Sequence, residues 1–190
     1  MGYRAVALLR RVAALLVLPV FTLTLPSCAT FSDDPRARTP GSMIDDEALE
    51  KVVEREIRKS DPELKGAHLV VVSYGGIVLL IGQVSTEELK NKAQAVTQGI
   101  AKVSKVHNEI GVGGPISYVA RTNDGWLTSK VKGKLIVADD VPGRKVKVQT
   151  ENGVVYLMGF LTRAEADAAV QSAASVFGVQ QIVRVFEYLD

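Results

Sequence analysis

The chain has one cysteine, two histidines and one tryptophan in 190 residues. A single cysteine excludes an internal disulfide in any compartment. His68 and His107 have no metal-ligand spacing between them or with Cys28, so no metal or other cofactor is expected. Charge of one sign is also lacking. The 23 bases and 21 acids include Arg4, Arg10 and Arg11 in the first 27 residues, which hold no acid. The remaining 163 residues carry 20 bases against 21 acids, too neutral for a general nucleic-acid binder. Finally, no apolar run is long enough to span a bilayer. The longest, Val12 to Leu25, has 14 residues where a spanning helix needs about 20.

That short run has its own meaning. Arg10 and Arg11 precede it, and Leu25-Pro26-Ser27-Cys28 follows. A basic start, an apolar stretch and a small residue before the cut form a secretory signal. The Leu-x-Ser-Cys ending resembles a bacterial lipobox, which implies that Cys28 is acylated and becomes the new N-terminus. Ala29 follows it where aspartate would signal retention, and this implies sorting to the inner, periplasmic leaflet of the outer membrane. A plain secretory signal or an uncleaved anchor is the alternative. Residues 1–27 are thus expected to be a signal peptide. Residues 28–43, with two prolines and a glycine, are expected to be a flexible tether.

The rest repeats itself. His68-Leu-Val-Val-Val-Ser-Tyr-Gly-Gly-Ile-Val-Leu-Leu-Ile-Gly82 is echoed 77 residues later by Lys145-Val-Lys-Val-Gln-Thr-Glu-Asn-Gly-Val-Val-Tyr-Leu-Met-Gly159. Each segment is two β-branched runs around a glycine turn, a hairpin pattern. Ser85-Thr-Glu-Glu88 and Thr162-Arg-Ala-Glu165 then read as capping boxes that open a helix. Ala93, Val96, Ile100 and Val103 make the apolar stripe in the first copy. Ala166, Val170, Ala173 and Phe177 make it in the second. Apolar strands close both copies, Val106 to Val112 and Gln181 to Tyr188. A helix also leads each copy, with Asp45-Asp46 and Asn123-Asp124 as suitable N-caps. Its buried stripe is Leu49, Val53 and Ile57, matched at an offset of 78 by Leu127, Val131 and Leu135.

The expected fold is therefore α+β: two tandem αββαβ units, each a three-stranded sheet with two helices packed on one face. The first unit is read as 44–112, the linker as 113–121 around Gly113-Gly114-Pro115, and the second unit as 122–190. The glycine hairpins, Gly82, Gly159, the capped helices and the closing Val103-Ser-Lys-Val106-His-Asn108-Glu-Ile110 resemble the BON domain family. Asn123-Asp-Gly-Trp-Leu-Thr-Ser-Lys-Val131 and Thr150 to Gly159 are the most specific stretches. Two such domains behind a lipobox look like the dual-BON outer-membrane lipoproteins associated with division and envelope stress. That resemblance implies anionic phospholipid as partner, a role in outer-membrane integrity, and no catalytic activity.

The two copies differ where it matters. Ala48 of the first leading helix faces Trp126 in the second. Val52, Glu54 and Glu56 face Lys130, Lys132 and Lys134. Trp126, Lys130 and Lys134 fall at i, i+4 and i+8, one stripe of their own, with Gly125, Ser129 and Gly133 beside it. Residues 121–147 hold seven bases against three acids, whereas 44–112 hold nine against eleven. Near an anionic leaflet each such base contributes about 1 kcal/mol, and an indole prefers the headgroup zone. Gly125, Trp126, Ser129, Lys130, Gly133 and Lys134 are therefore the expected lipid-binding residues. On residue type alone, Trp126 packed on the protein within a solvated lysine face is the competing reading. In function, the competitor is a periplasmic adaptor whose near-neutral first unit docks an outer-membrane assembly or division protein. No catalytic constellation is visible. Glu87 and Glu88 start a helix, Tyr74 and Tyr156 read as sheet-packing residues, and the acidic Glu47, Glu50 and Glu54 alternate with Lys51, Arg55 and Arg58, which suggests i, i+4 pairs on a solvated surface.

Overall fold

The computed structural model describes residues 39–114 and 118–190. The signal segment, Cys28 and most of the expected tether lie outside the described residues. In chain order the first unit is α1 (Pro40–Ser60), α2 (Pro62–Gly66), β1 (His68–Tyr74), β2 (Ile77–Val84), α3 (Glu87–Gln98) and β3 (Lys105–Val112). The second is α4 (Tyr118–Val137), a single 3-10 turn (Gly143–Lys145), β4 (Lys147–Glu151), β5 (Val154–Leu161), α5 (Arg163–Ala174) and β6 (Gln181–Tyr188). The αββαβ order is as the sequence implies, with α2 and the 3-10 turn added before the hairpins.

Each hairpin turns on two residues of positive φ, Gly75 and Gly76 in one copy, Asn152 and Gly153 in the other. This twist matches that of the flanking strands and sets the antiparallel register Tyr74↔Ile77 and Glu151↔Val154. The third strand returns parallel to the second in both sheets, so β2 and β5 are the central strands.

Both leading helices begin earlier than the caps read from sequence. Thr39 caps α1, and Pro40 occupies its first turn, so residues 40–43 of the expected tether are helical. Helix α4 starts at Tyr118, inside the segment read as linker. Asp46 and Asp124 are therefore buried within their helices. Asp46 Oδ1 accepts from Ser73 Oγ at 3.0 Å and Gly75 N at 2.9 Å. Asp124 accepts from Asn152 N at 2.7 Å and Gly153 N at 2.8 Å. Each carboxylate pins its helix to its own hairpin turn. The second capping box forms in full, Thr162 N donating to Glu165 and Glu165 N to Thr162 Oγ1. The first does not. Thr86 is the cap of α3, and Ser85 Oγ donates to Glu63 instead.

Both faces of each sheet are apolar. One face carries the helices: Leu49, Val53 and Ile57 pack on Val78, Leu80 and Ile110, and Leu127, Val131 and Leu135 on Val148, Val155 and Leu157. The other faces meet each other. Val72, Tyr74, Ile77, Leu79 and Ile81 share one buried cluster with Tyr156, Met158 and Val185. The result is four layers, helices–sheet–sheet–helices. Burial in this seam, with Glu109 and Glu151 nearby, pushes the Tyr156 phenol up to about 12. Polar groups rim it. Tyr74 Oη donates to Lys145 O at 2.7 Å, and Lys105 Nζ lies 2.6 Å from Glu187. Glu50 accepts from Ser73 N and from Lys147 Nζ, so it crosses to the other unit and is not a solvated partner of its own helix. Arg55 pairs with its neighbour Glu56, whereas Lys51–Glu47 and Arg58–Glu54 are i, i+4 pairs as expected. His68 Nε2 stands 3.1 Å from Glu151 without the alignment of a hydrogen bond.

His107 occupies the ladder position beside Leu79, on the seam side of β3. Its Nε2 is buried without a hydrogen-bond partner. Burial, then the Lys105 charge, lowers its pKa from 6.5, while Glu187 and Glu109 oppose the shift. The folded chain therefore binds this proton less readily than the unfolded chain. Its contribution is full above pH 6.5 and is lost as pH falls from there toward the folded value. Urea midpoints measured between pH 7 and about 5.5 should fall with pH, and His107→Gln should flatten that slope. Equal slopes in the two proteins would remove His107 from the account.

Candidate functional site

Helix α4 lies on the outer face of its sheet, opposite the seam. Its inward stripe is Asp124, Leu127, Val131 and Leu135, all buried. What remains is an outward face, and the sequence-expected residues sit on it. Gly125, Trp126, Ser129, Gly133 and Lys134 are exposed and Lys130 is half-buried. Trp126 is 57% exposed, and Lys130 Nζ stands 3.4 Å from its ring centre. Such a cation–π contact is worth about 0.5–1 kcal/mol at an exposed site. It orients the indole without hiding it. Among the described residues, no carboxylate pairs with Lys130 or Lys134.

Not every base of the region joins this face. Lys132 turns back and donates to the carbonyls of Gly143 and Val146. Lys147 is neutralised by Glu50 across the seam. Among the described side chains of α4, the positive charge left for the outer face is therefore that of Lys130 and Lys134, less than the count of residues 121–147 suggests.

The small residues set the surface relief. A Cβ built at Gly125 or Gly133 meets nothing within 4 Å, so neither glycine is required by packing inside the protein. Ser129 Oγ folds back onto Gly125 O at 3.1 Å and projects little. An exposed glycine inside a helix costs about 1 kcal/mol relative to alanine. The first unit has Glu47, Lys51 and Arg55 at these three positions, long side chains that form ion pairs. The second unit has a low helix surface with one large ring rising from it. Ile136 and Val137 extend the apolar exposure at its C-terminal end.

One stripe residue is misplaced by the sequence reading. Phe177 does not pack in the second core. Helix α5 ends at Ala174, its buried residues are Ala166, Ala169 and Ala173, and Phe177 is 90% exposed. The hairpins align at an offset of 77, but the closing strands align at 76, Lys105 with Gln181. The connection between β5 and α5 is one residue shorter than that between β2 and α3, so the caps Thr86 and Thr162 already stand 76 apart. Val176 therefore takes the place of Ile100 against the core. Counting at a constant offset could not detect that deletion.

Among the described residues, no group of three or more His, Cys, Asp or Glu is placed to hold a metal ion. Nor is any helix among them long and apolar enough to cross a membrane.

Comparison with known proteins fits this architecture. The BON domain model matches residues 45–114 and again 123–190. The chain belongs to the BON family. It is 43% identical over 163 residues to the Haemophilus influenzae outer membrane lipoprotein DolP, covering 85% of this chain and 83% of that one. It is 38% identical over 157 residues to the 21 kDa hemolysin of Actinobacillus pleuropneumoniae, covering 83% and 80%. With the osmotically-inducible protein Y of Escherichia coli it shares 31% over 145 residues, covering 75% and 72%. Two BON domains and similarity at this level support an outer-membrane lipoprotein of the BON family.

Proposed function

We propose that this BON protein is a non-catalytic, phospholipid-binding lipoprotein. It is acylated at Cys28 and held on the periplasmic leaflet of the outer membrane, where it supports membrane integrity. The outer face of α4 meets anionic phospholipid through Gly125, Trp126, Ser129, Lys130, Gly133 and Lys134. The observation that carries this reading is the exposure of the sole tryptophan on a helix face that also bears two ammonium groups without acidic partners. An indole at the headgroup level buries its ring while its N–H stays wet. Each lysine adds about 1 kcal/mol near an anionic surface. The exposed glycines let the helix backbone approach the headgroups closely.

Vesicle flotation of the chain made without its acyl anchor tests this. The parent should float with phosphatidylglycerol-containing vesicles, and less so as salt rises. Lys130→Glu reverses one charge and removes the ring contact, so it should weaken binding by about thirtyfold, or ~2 kcal/mol. Trp126→Ala should weaken it by about tenfold. If both variants float as well as the parent does, α4 is not the lipid site.

A further inference from the structure

Phe177 has no role in the fold described above, yet it is the most exposed large apolar side chain among the described residues, at 90%. It sits in the turn between α5 and β6, and that turn is firmly held. Val176 and Val179 on either side pack on the core. Val176 N donates to Ala173 O at 3.1 Å, Val179 N to Val176 O at 3.3 Å, and Gln180 N to Gly153 O at 3.0 Å. Gly178, at φ +103°, redirects the chain, and a Cβ placed there would lie 3.7 Å from Leu127 Cδ1. The turn therefore abuts α4 beside the residue that follows Trp126.

Comparison with the first unit singles out the ring. With the closing strands aligned at 76, Phe177 corresponds to Ala101 and Gly178 to Lys102, which has φ +73°. Ala101 is exposed, as is Ala48, the counterpart of Trp126. The second unit thus has an aromatic at two outward positions where the first has alanine, and glycine where the first has a lysine. The chain on either side of it is free of charge. Residues 168–183 contain no ionisable side chain, and Asp167 just before them is paired with Arg184 at 2.6 Å. Nothing on this stretch repels an anionic surface or must be dehydrated to approach one.

We propose that Phe177 is a second ring that enters the lipid surface, beside the α4 face and at the same edge of the second unit. This rests on the reading that α4 meets anionic phospholipid, and it widens that contact from one helix to a helix and a turn. The occupant is lipid because a lone ring on a charge-free collar, next to unpaired ammonium groups, matches acyl chains beneath anionic headgroups.

The chain's single tryptophan makes the test direct. The full chain is reconstituted into phosphatidylglycerol–phosphatidylethanolamine vesicles whose acyl chains carry bromine, and tryptophan emission is followed. The parent reports position 126. The Phe177→Trp variant in a Trp126→Phe background reports position 177. Quenching of both reporters is expected. Quenching at 126 alone, with the 177 reporter emitting as in water, overturns the proposal and leaves the α4 reading intact. Quenching at neither position overturns both. A companion variant, Phe177→Ser, should bind anionic vesicles about tenfold more weakly in the unacylated chain. Its urea midpoint should be unchanged, since so exposed a ring adds little to the core. Unchanged affinity would also overturn the proposal.

Discussion

Gly82→Ala is expected to lower the unfolding free energy by about 4 kcal/mol, whereas Gly159→Ala at the repeated position should cost only about 1–2 kcal/mol. The two glycines end the same motif, but the backbone uses them differently. Gly82 has φ +120°, a region that L side chains rarely adopt. A Cβ there would stand 2.1 Å from His68 O and 3.0 Å from its carbonyl carbon. Strand β1 begins at His68 and pairs directly across this point, His68 with Gln83 and Leu69 with Gly82. Neither strand can yield without breaking the ladder. At Gly159 the nearest atom is Lys145 O, at 2.9 Å, and β4 begins only at Lys147. The chain facing Gly159 is the end of a 3-10 turn, which can shift by a few tenths of an ångström. Urea unfolding followed by far-UV circular dichroism would measure both variants. Equal losses would show that the close approach in the first unit relaxes at little cost.

The repeat, the hairpins and the two apolar helix stripes were legible because each depends on a local rule. Positive φ at Asn152 and Gly153, the 3.6-residue period of Leu127, Val131 and Leu135, and the Thr162–Glu165 box all follow from neighbours in sequence. The candidate face on α4 was legible for a related reason. Once Leu127, Val131 and Leu135 are inward, helical geometry leaves Trp126 and Lys130 outward. What escaped depends on contacts far apart in the chain. Asp46 and Asp124 look like caps until the hairpins that they hold are placed 27 to 29 residues away. Glu50 looks like part of a solvated charged face until Lys147 is brought to it from 97 residues away. Lys132 looks like part of a basic stripe until the 3-10 turn offers it two carbonyls. Phe177 was assigned to the core because a one-residue deletion is invisible to a fixed offset. The seam between the sheets had a signal that local reading passes over. Residues Ile77 to Ile81 are apolar on both sides of the strand, as is expected of a strand buried on both faces.

That seam predicts the second large effect. Leu79→Glu should uncouple the two units, because Leu79 is wholly buried among Tyr156, Met158 and Val185 and faces away from its own unit's helices. Losing the leucine forfeits about 1.5–3 kcal/mol of apolar burial, and a carboxylate in its place has no partner and cannot remain dehydrated. Together these exceed ~5 kcal/mol, comparable with the whole stability of a small domain. Each unit keeps its own helix-side core, so the cheaper response is to open the seam. The rim contacts Tyr74–Lys145, Lys105–Glu187 and Lys147–Glu50 would open with it. In the parent, Trp126 fluorescence, which reports the second unit, and far-UV circular dichroism, which reports both, should trace one transition. In Leu79→Glu they should separate, because units of about 70 residues with one face uncovered are marginal alone. Coincident curves at the parent's midpoint would mean that the sheets do not stabilise each other. The outer face of α4 lies on the far side of its sheet from this seam. Anionic-vesicle binding should therefore persist in Leu79→Glu wherever the second unit remains folded, and lipid contact and domain docking would then be separate properties of opposite faces of one sheet-and-helix layer.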